Sequence, residues 1–298
     1  MEYAGSPRFN IGRILMWVLL GIIIFLTLFP FYWVLRTALT AQSSIFQNTT
    51  SLLPVDATML NFRRVLGFVS TSEGLAAGGS GQTFEFMLFL RNSIIFSSLI
   101  TVGQVTFSTM AAYAFARLRF PGRDLLFTTY IAALMVPAIV TLIPNFVLIR
   151  QLDLQQTFAG MVAPYFFMTP FAVFFLRQFF LGINRELEEA AQIDGASYFT
   201  IFTRIIWPIS RPPITTLGII TFIQAWNEYL WPLVVGGSED QVRVLTVALN
   251  IFKSQQPSGA PDWSGLMAGT FLAIIPVLVL YLFVGRRVID SIQFTGFK

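Results

Sequence analysis

The chain has 298 residues, of which 55% are apolar and only 11% charged, with a formal net charge of +4 and a mean hydropathy of +0.70. Soluble domains carry about 25% charged residues, so the composition excludes an ordinary soluble fold and makes lipid the solvent. Histidine and cysteine are absent, which excludes disulfides, thiolate nucleophiles, histidine general bases and nearly all zinc, haem and iron–sulfur ligation.

A helix needs roughly 20 apolar residues to cross the hydrocarbon core. Six stretches qualify: 14–35, 92–115, 125–149, 161–180, 214–234 and 266–284. The first is too long, and too poorly followed by small residues, for a cleaved signal peptide. Prolines at 30, 137, 144, 164, 170, 232 and 276 fall inside these stretches. Each removes a backbone donor, so kinks or broken helices are expected there. Between the first two spans, the run GLAAGGSGQ at 74–82 reads as a linker-like insertion. The polar connection 236–265 separates the last two spans.

Basic residues collect in cytoplasmic connections. Of the 19 lysines and arginines, 12 fall on the side that holds both termini, among them the cluster RLRFPGR at 117–123. Residues 1–13 and the connection between the fourth and fifth spans are therefore expected in the cytoplasm. The positive charge is explained by membrane topology and calls for no nucleic acid.

That connection is the unusual one. Its stretch ELEEAAQIDGASYFTIFTRIIWP, 186–208, mixes acids and aromatics in a chain that is otherwise oil. Asn184 can cap a first helix, with Glu186, Glu188 and Glu189 near its positive end. Leu187, Ala190, Ala191 and Asp194 recur at three and four and give a narrow face of small residues. Gly195 can take a positive φ and turn the chain. Ser197 can cap a second helix through Tyr198, Phe199, Phe202 and Ile206, which Pro208 should end. Such an element could lie on the bilayer or dock into a protein. Its acids would be repelled by anionic lipid, which favours docking.

EAAQIDG, then nine residues, then IIWP matches the signature E-A-A-x-x-x-G-x(9)-I-x-L-P. Glu189, Ala190, Ala191, Gly195, Ile205 and Pro208 fall on its fixed positions, with Trp207 in place of leucine. The chain thus resembles the permeases of ATP-binding-cassette importers. MAAYAFARLRFPGR at 110–123 and QAWNEYLWPLVV at 224–235 are similar to segments of the carbohydrate, maltose-transporter-like branch. The resemblance implies an all-α membrane protein of the type I importer permease fold, with 14–298 as one transmembrane domain and 184–208 as its coupling element. It also implies a bacterial or archaeal cytoplasmic membrane, a second permease, two ATPase subunits that bind ATP and magnesium, and an extracytoplasmic sugar-binding protein. No cofactor and no catalytic residue is expected on this chain, and it has no P-loop of its own. Glu189, Ala190, Ala191, Asp194, Gly195, Ile205 and Pro208 would then form the ATPase contact.

Polar groups inside spans tend to face a cavity or another helix. Asn92, Gln104, Asn145, Gln224, Asn227 and Glu228 are the candidates. Gln224 and Glu228 lie one turn apart, with Asn227 adjacent, so all three can share a face. Glu228 would sit about 21 Å along the helix from Ile214. Trp226, Tyr229 and Trp231 could serve as sugar platforms or as an interfacial belt. Gln224, Asn227, Glu228 and Asn145 are the pathway candidates, with interhelical packing preferred for Asn92 and Asn145. The outer stretch 238–262 is a candidate surface for the binding protein. The rival reading, a self-sufficient carrier or channel, lacks an internal repeat and leaves the 186–208 element without a purpose.

Overall fold

A computed structural model of the chain describes residues 11–47, 50–79, 84–237, 239–254 and 261–293. Every regular element among them is helical. Contacts sort the chain into two units, one formed by 1–84 with 252–272 and the other by 85–251 with 273–298.

In the first unit, α1 (Ile11–Ala38) is long, apolar and exposed along nearly all its length, as suits a helix facing lipid. Two short helices follow, α2 (Leu60–Val65) and α3 (Thr71–Ala76). A capping box starts α3: Ser70 Oγ accepts the Glu73 amide, and Glu73 reaches back to the Ser70 amide. Residues 74–76 of the expected linker are therefore helical, because the cap upstream of them sets the turn. Residues 80–82 of that run lie outside the described residues. Buried polar contacts order the rest of the unit. Asn61 donates to the carbonyls of Ala38 and Thr40 at 2.8 Å, and Arg64 pairs with Asp262.

The second unit is built on α4 (Phe86–Arg117). The chain continues through α5 (Arg123–Ala132), α6 (Ala138–Gln151), α7 (Phe158–Phe166) and α8 (Pro170–Leu181). Proline breaks both expected spans here. The segment from Arg123 to Gln151 bends by 100° just before α6, with Pro137 preceding that helix, and α7 meets α8 at 41°, with Pro170 in the first turn of α8. Pro144 stays inside α6 without ending it. Next come α9 (Glu186–Ile193), α10 (Tyr198–Ile201), a π-turn at Phe202–Ile206 and α11 (Trp207–Ile209).

The fifth expected span is divided into α12 (Arg211–Trp226) and α13 (Leu230–Gly236), interrupted at 227–229. Then come α14 (Leu245–Ser254) and α15 (Trp263–Gln293). By length and apolarity, α1, α4 and the 263–283 part of α15 can each cross a membrane, and the two bent pairs raise the number to five. The one expected span not among these five is the fifth, the divided α12–α13 segment, whose pieces have 16 and 7 residues.

Two apolar clusters hold the second unit together. One joins Ala112, Tyr113 and Ala116 of α4 to Val173, Leu176 and Phe180 of α8 and to Ile201, Phe202 and Ile206. The other joins Phe96 and Ile100 of α4 to Met161, Trp231, Val235 and Val247. They lie toward opposite ends of α4, and each supports one of the two sites below.

Candidate functional site

The first site is α9 and the turn that follows it. Asn184 begins the element, its Oδ1 accepting the Glu186 amide at 3.1 Å from one position outside the cap residue, Arg185. The C-terminal end closes on Gly195 at φ 80°. The Gly195 amide donates to Gln192 O at 3.0 Å and the Ala196 amide to Ala191 O at 2.9 Å. Together these bonds make a Schellman motif, which satisfies the last carbonyls of the helix. The expected bend at Gly195 is present, and a β-carbon added there would meet nothing within 4 Å.

Beyond the bend, Ser197 Oγ accepts the Thr200 amide at 3.2 Å and starts α10, as expected. Pro208 does not end this limb. The helix loosens into the π-turn, where the Trp207 amide donates to Phe202 O, and it continues through Pro208 to Ile209. The proline falls in the first turn of a new helical segment, where its missing N–H costs little. The break comes at Ser210, ahead of Pro212 and Pro213 in the first turn of α12. Trp207, at the signature's leucine position, packs edge-on against Phe202 with ring centroids 5.8 Å apart.

The predicted residues divide into two sets. Glu189, Ala190, Asp194 and Gly195 are exposed, whereas Ala191 and Ile205 are turned toward the cluster of α4 and α8. Ile193 stands 87% exposed, with Phe199, Tyr198 and Leu187 also largely uncovered. Sequence reasoning missed Ile193, the most exposed apolar side chain of the element. It also missed the root. Glu188 is buried, and its carboxylate lies 2.9 Å from Arg117 Nε at the end of α4. Arg117 also donates to the carbonyls of Phe180 and Ile183, where α8 ends. Burial pushes the Glu188 carboxyl above its ordinary range, while Arg117 pulls it the other way. The Arg117 guanidinium thus joins the end of α4 to the end of α8 and, through Glu188, to α9.

The second site is a cavity of about 350 Å³ at the other end of α4, lined by Phe96, Ile100, Gln104, Tyr165, Thr221, Gln224, Ala225 and Glu228. It unites three of the polar candidates, Gln104, Gln224 and Glu228. Gln104 also donates to Thr169 Oγ1 at 3.0 Å, and Glu228 Oε1 accepts the Trp231 amide at 3.2 Å in the first turn of α13. Asn227 does not share this face. It lies at the end of α12, and its side chain turns back onto Ile223 O at 2.8 Å. The helix stops there, so Glu228 stands in a break and not on a continuous helix.

Asn145 lies on α6 and does not line the cavity. Asn92 is fully buried and donates to the carbonyls of Gln241 and Arg243 at 3.0 Å, which fixes that connection. Trp226 and Trp231 are buried, and Trp231 Nε1 donates to Met161 O at 2.9 Å. They are core residues and not open platforms. Phe96 and Tyr165 are the aromatic residues that line the cavity, and of the two Tyr165 carries a hydroxyl. In the candidate outer stretch 238–262, Asp262 is buried against Arg64, one face of α14 is buried, and residues 238 and 255–260 lie outside the described residues.

Known proteins are similar to this chain. The chain is 34% identical over 270 residues to the sn-glycerol-3-phosphate transport system permease protein UgpE of Yersinia pestis bv. Antiqua (strain Antiqua), covering 90% of this chain and 92% of that protein. It is 31% identical over 293 residues to the arabinooligosaccharides transport system permease protein AraQ of Bacillus subtilis (strain 168), covering 98% of both. Its fold matches a chain of a bacterial ABC transporter involved in the import of the acidic polysaccharide alginate, with a TM-score of 0.76 and 23% identity over 96% of this chain and 99% of that one. Residues 104–292 match the family model of binding-protein-dependent transport system inner membrane components. The chain belongs to that family, as a membrane-embedded permease component of an ABC transport system.

Proposed function

We propose that this chain is the permease subunit of an ATP-driven importer of a sugar or a related polyhydroxylated solute. In this reading it forms half of the translocation pathway beside a second permease. Two ATPase subunits dock on the cytoplasmic side, where both termini of the chain lie, and a binding protein delivers solute from outside. The membrane is that of a bacterium or an archaeon.

The observation that carries the reading is the construction of α9. Glu189, Ala190 and Ile193 face outward on a helix closed by a left-handed glycine. Its inner side is fastened through Glu188 to the end of α4. A surface designed only to lie in water would not expose Ile193 and Phe199, and one lying on lipid would not present Glu186 and Glu189 beside them. A protein cleft suits both: Ala190 lets it approach closely, Ile193 gives buried area, and Glu189 gives a polar contact.

For the solute, Gln104, Gln224 and Glu228 offer donors and acceptors beside Tyr165, a pattern suited to hydroxyl groups. The carboxylate of Glu228 disfavours an anion passing close to it. The sugar side of the named relatives is therefore the better guide than glycerol phosphate.

Affinity purification of the tagged chain from its native membrane tests the reading. The expected result is recovery of a second permease and an ATPase, with the ATPase weakened by Glu189→Lys and Gly195→Asp. A chain recovered alone that moved solute in liposomes without ATP would replace the proposal with a self-sufficient carrier.

A further inference from the structure

Where α4 gives way to α5, a cleft of about 490 Å³ is lined by Arg119, Phe120, Gly122, Arg123, Asp124, Leu125 and Arg185. Three arginines face a single acid. Arg123 is engaged by that acid, Asp124, at 2.9 Å and also donates to Leu118 O. Arg119 and Arg185 form no ion pair among the described residues. A second cleft shares Arg119, Phe120 and Arg185, and it holds Glu188 and Glu189. Those acids do not line the first cleft, although the charge of Arg185 reaches Glu188 and pulls its carboxyl downward.

The cleft has two kinds of wall. The arginines, with the first-turn amides of α5, form a donor-rich cationic end suited to phosphate oxygens. Gly122, at φ 74°, leaves the entrance open, since a β-carbon there would meet nothing within 4 Å. The other wall is apolar: Leu125 is 75% exposed, and its neighbour on the helix, Leu126, is 57% exposed, where α5 starts its bent path through the membrane. Membrane topology asks only that basic residues lie on this side. It does not ask that Arg185 of the coupling element converge with Arg119 and Arg123 on one cleft.

We propose that this cleft binds the phosphate headgroup of an anionic phospholipid, its acyl chain lying along Leu125 and Leu126. A free phosphate offers the same oxygens but makes no use of the apolar wall. The site would tie the root of the coupling element to the charge of the inner leaflet, because Arg185 directly precedes α9.

The test uses the assembled transporter in nanodiscs of phosphatidylcholine, titrated with phosphatidylglycerol and read by native mass spectrometry. Arg119→Gln and Arg185→Gln are each expected to weaken phosphatidylglycerol binding about fivefold, from the strength of one arginine near an anionic surface. Arg119→Lys should retain most of it. Asp124→Asn should strengthen binding by removing the acid in the cleft, a gain that a damaged fold cannot mimic. Unchanged affinity in both glutamine variants overturns the proposal. Competition by inorganic phosphate as effective as that of the lipid would reassign the site to a soluble anion. Loss of the ATPase from these variants with lipid retained would give the arginines to that partner. The proposal rests on the inward orientation given above, but nanodiscs expose both leaflets. Failure here therefore leaves the ATPase-docking experiment standing.

Discussion

Arg117 and Glu188 lie 71 positions apart in the chain and meet as a buried ion pair, their side chains 3% and 9% exposed and separated by 2.9 Å. Arg117 closes the long helix α4, and Glu188 belongs to the first turn of α9. The guanidinium also takes up two carbonyls at the end of α8. Force applied to α9 therefore reaches the centre of the second unit through a charged joint, with the apolar packing of Ala191 beside it.

Removing one partner strands the other. Glu188→Ala takes the acceptor beside Arg117 Nε from a buried guanidinium and leaves it only its carbonyls, and it should cost about 2 kcal/mol as a buried donor left unsatisfied. Glu186→Ala, two residues earlier and exposed, should stay within about 0.5 kcal/mol. Thermal unfolding of the detergent-solubilised transporter compares them. Equal effects at 186 and 188 would remove the joint from the account.

The same carboxyl gives a pH dependence. Burial raises its folded value above that of the unfolded chain, with Arg117 opposing. A carboxyl raised on folding contributes stability below its unfolded value, near about 4.3, and loses it as pH rises through the folded value. Glu188→Gln, neutral throughout, should therefore gain on the wild type as pH goes from about 4 to about 7. Paired melting curves across that window check the sign. A relative loss for the glutamine variant would mean that Arg117 outweighs burial.

Gly195 takes φ 80° with open space around its α-carbon. Alanine there meets no neighbour, so its cost is conformational alone, about 1–2 kcal/mol. Asparagine tolerates the left-handed region and should cost less. Glu189→Lys, on an exposed position, should leave the melting temperature unchanged and release the ATPase proposed to dock there. Recovery of the ATPase with each tagged variant, set beside its melting curve, separates a bent element from a repelled one.

Much of this element was legible because its determinants are local. The Asn184 oxygen, the Gly195 turn and the Ser197 cap each act within four residues, and short-range chemistry predicts each. The apolar stretches and the proline breaks at 137 and 170 were readable for the same reason. Glu188 was not. It stood among three acids beside a helix N-terminus, and nothing in 186–193 tells that its partner ends a helix 71 positions upstream. The division of the fifth span was hidden too, since Asn227 and Glu228 in an apolar run read as polar lining. Glu228 bonds the Trp231 amide across the break, a role visible only once the helix is seen to stop. The helix extension past Pro208 depends on a π-turn, whose shift of hydrogen bonds leaves little pattern in the residues.

Close approach of helices gives a sharper contrast. A methyl on Gly103 of α4 would overlap both the ring and the backbone carbonyl of Phe166 on α7, whereas one on Gly218 of α12 comes no nearer than 3.9 Å to Thr101 Cγ2. Both glycines are inside helices, so propensity favours alanine equally. Gly103→Ala should destabilise by about 1–3 kcal/mol through forced separation of α4 from α7. Gly218→Ala should be neutral or mildly stabilising. Melting temperature and membrane yield of the two variants decide it, and similar behaviour would mean that α7 yields easily.

The cavity offers the test of solute contact, and Glu228 must be approached with its second bond in mind. Its Oε1 accepts the Trp231 amide, so Glu228→Ala opens the start of α13 as well as removing a charge. Glu228→Gln keeps an acceptor and removes only the charge. Gln224 lines the same cavity from α12. If solute passes along this wall, Gln224→Ala should raise the apparent KM for uptake about tenfold, the value of a lost hydrogen bond or two. The ATPase activity without solute should not change. Glu228→Gln should alter selectivity between neutral and anionic solutes in the direction of the anion, because the repelling charge is gone. Uptake into proteoliposomes with paired neutral and phosphorylated sugars reads both effects. An unchanged KM for Gln224→Ala, with selectivity unmoved by Glu228→Gln, would leave the cavity as a packing defect beside the break and put the solute contacts elsewhere.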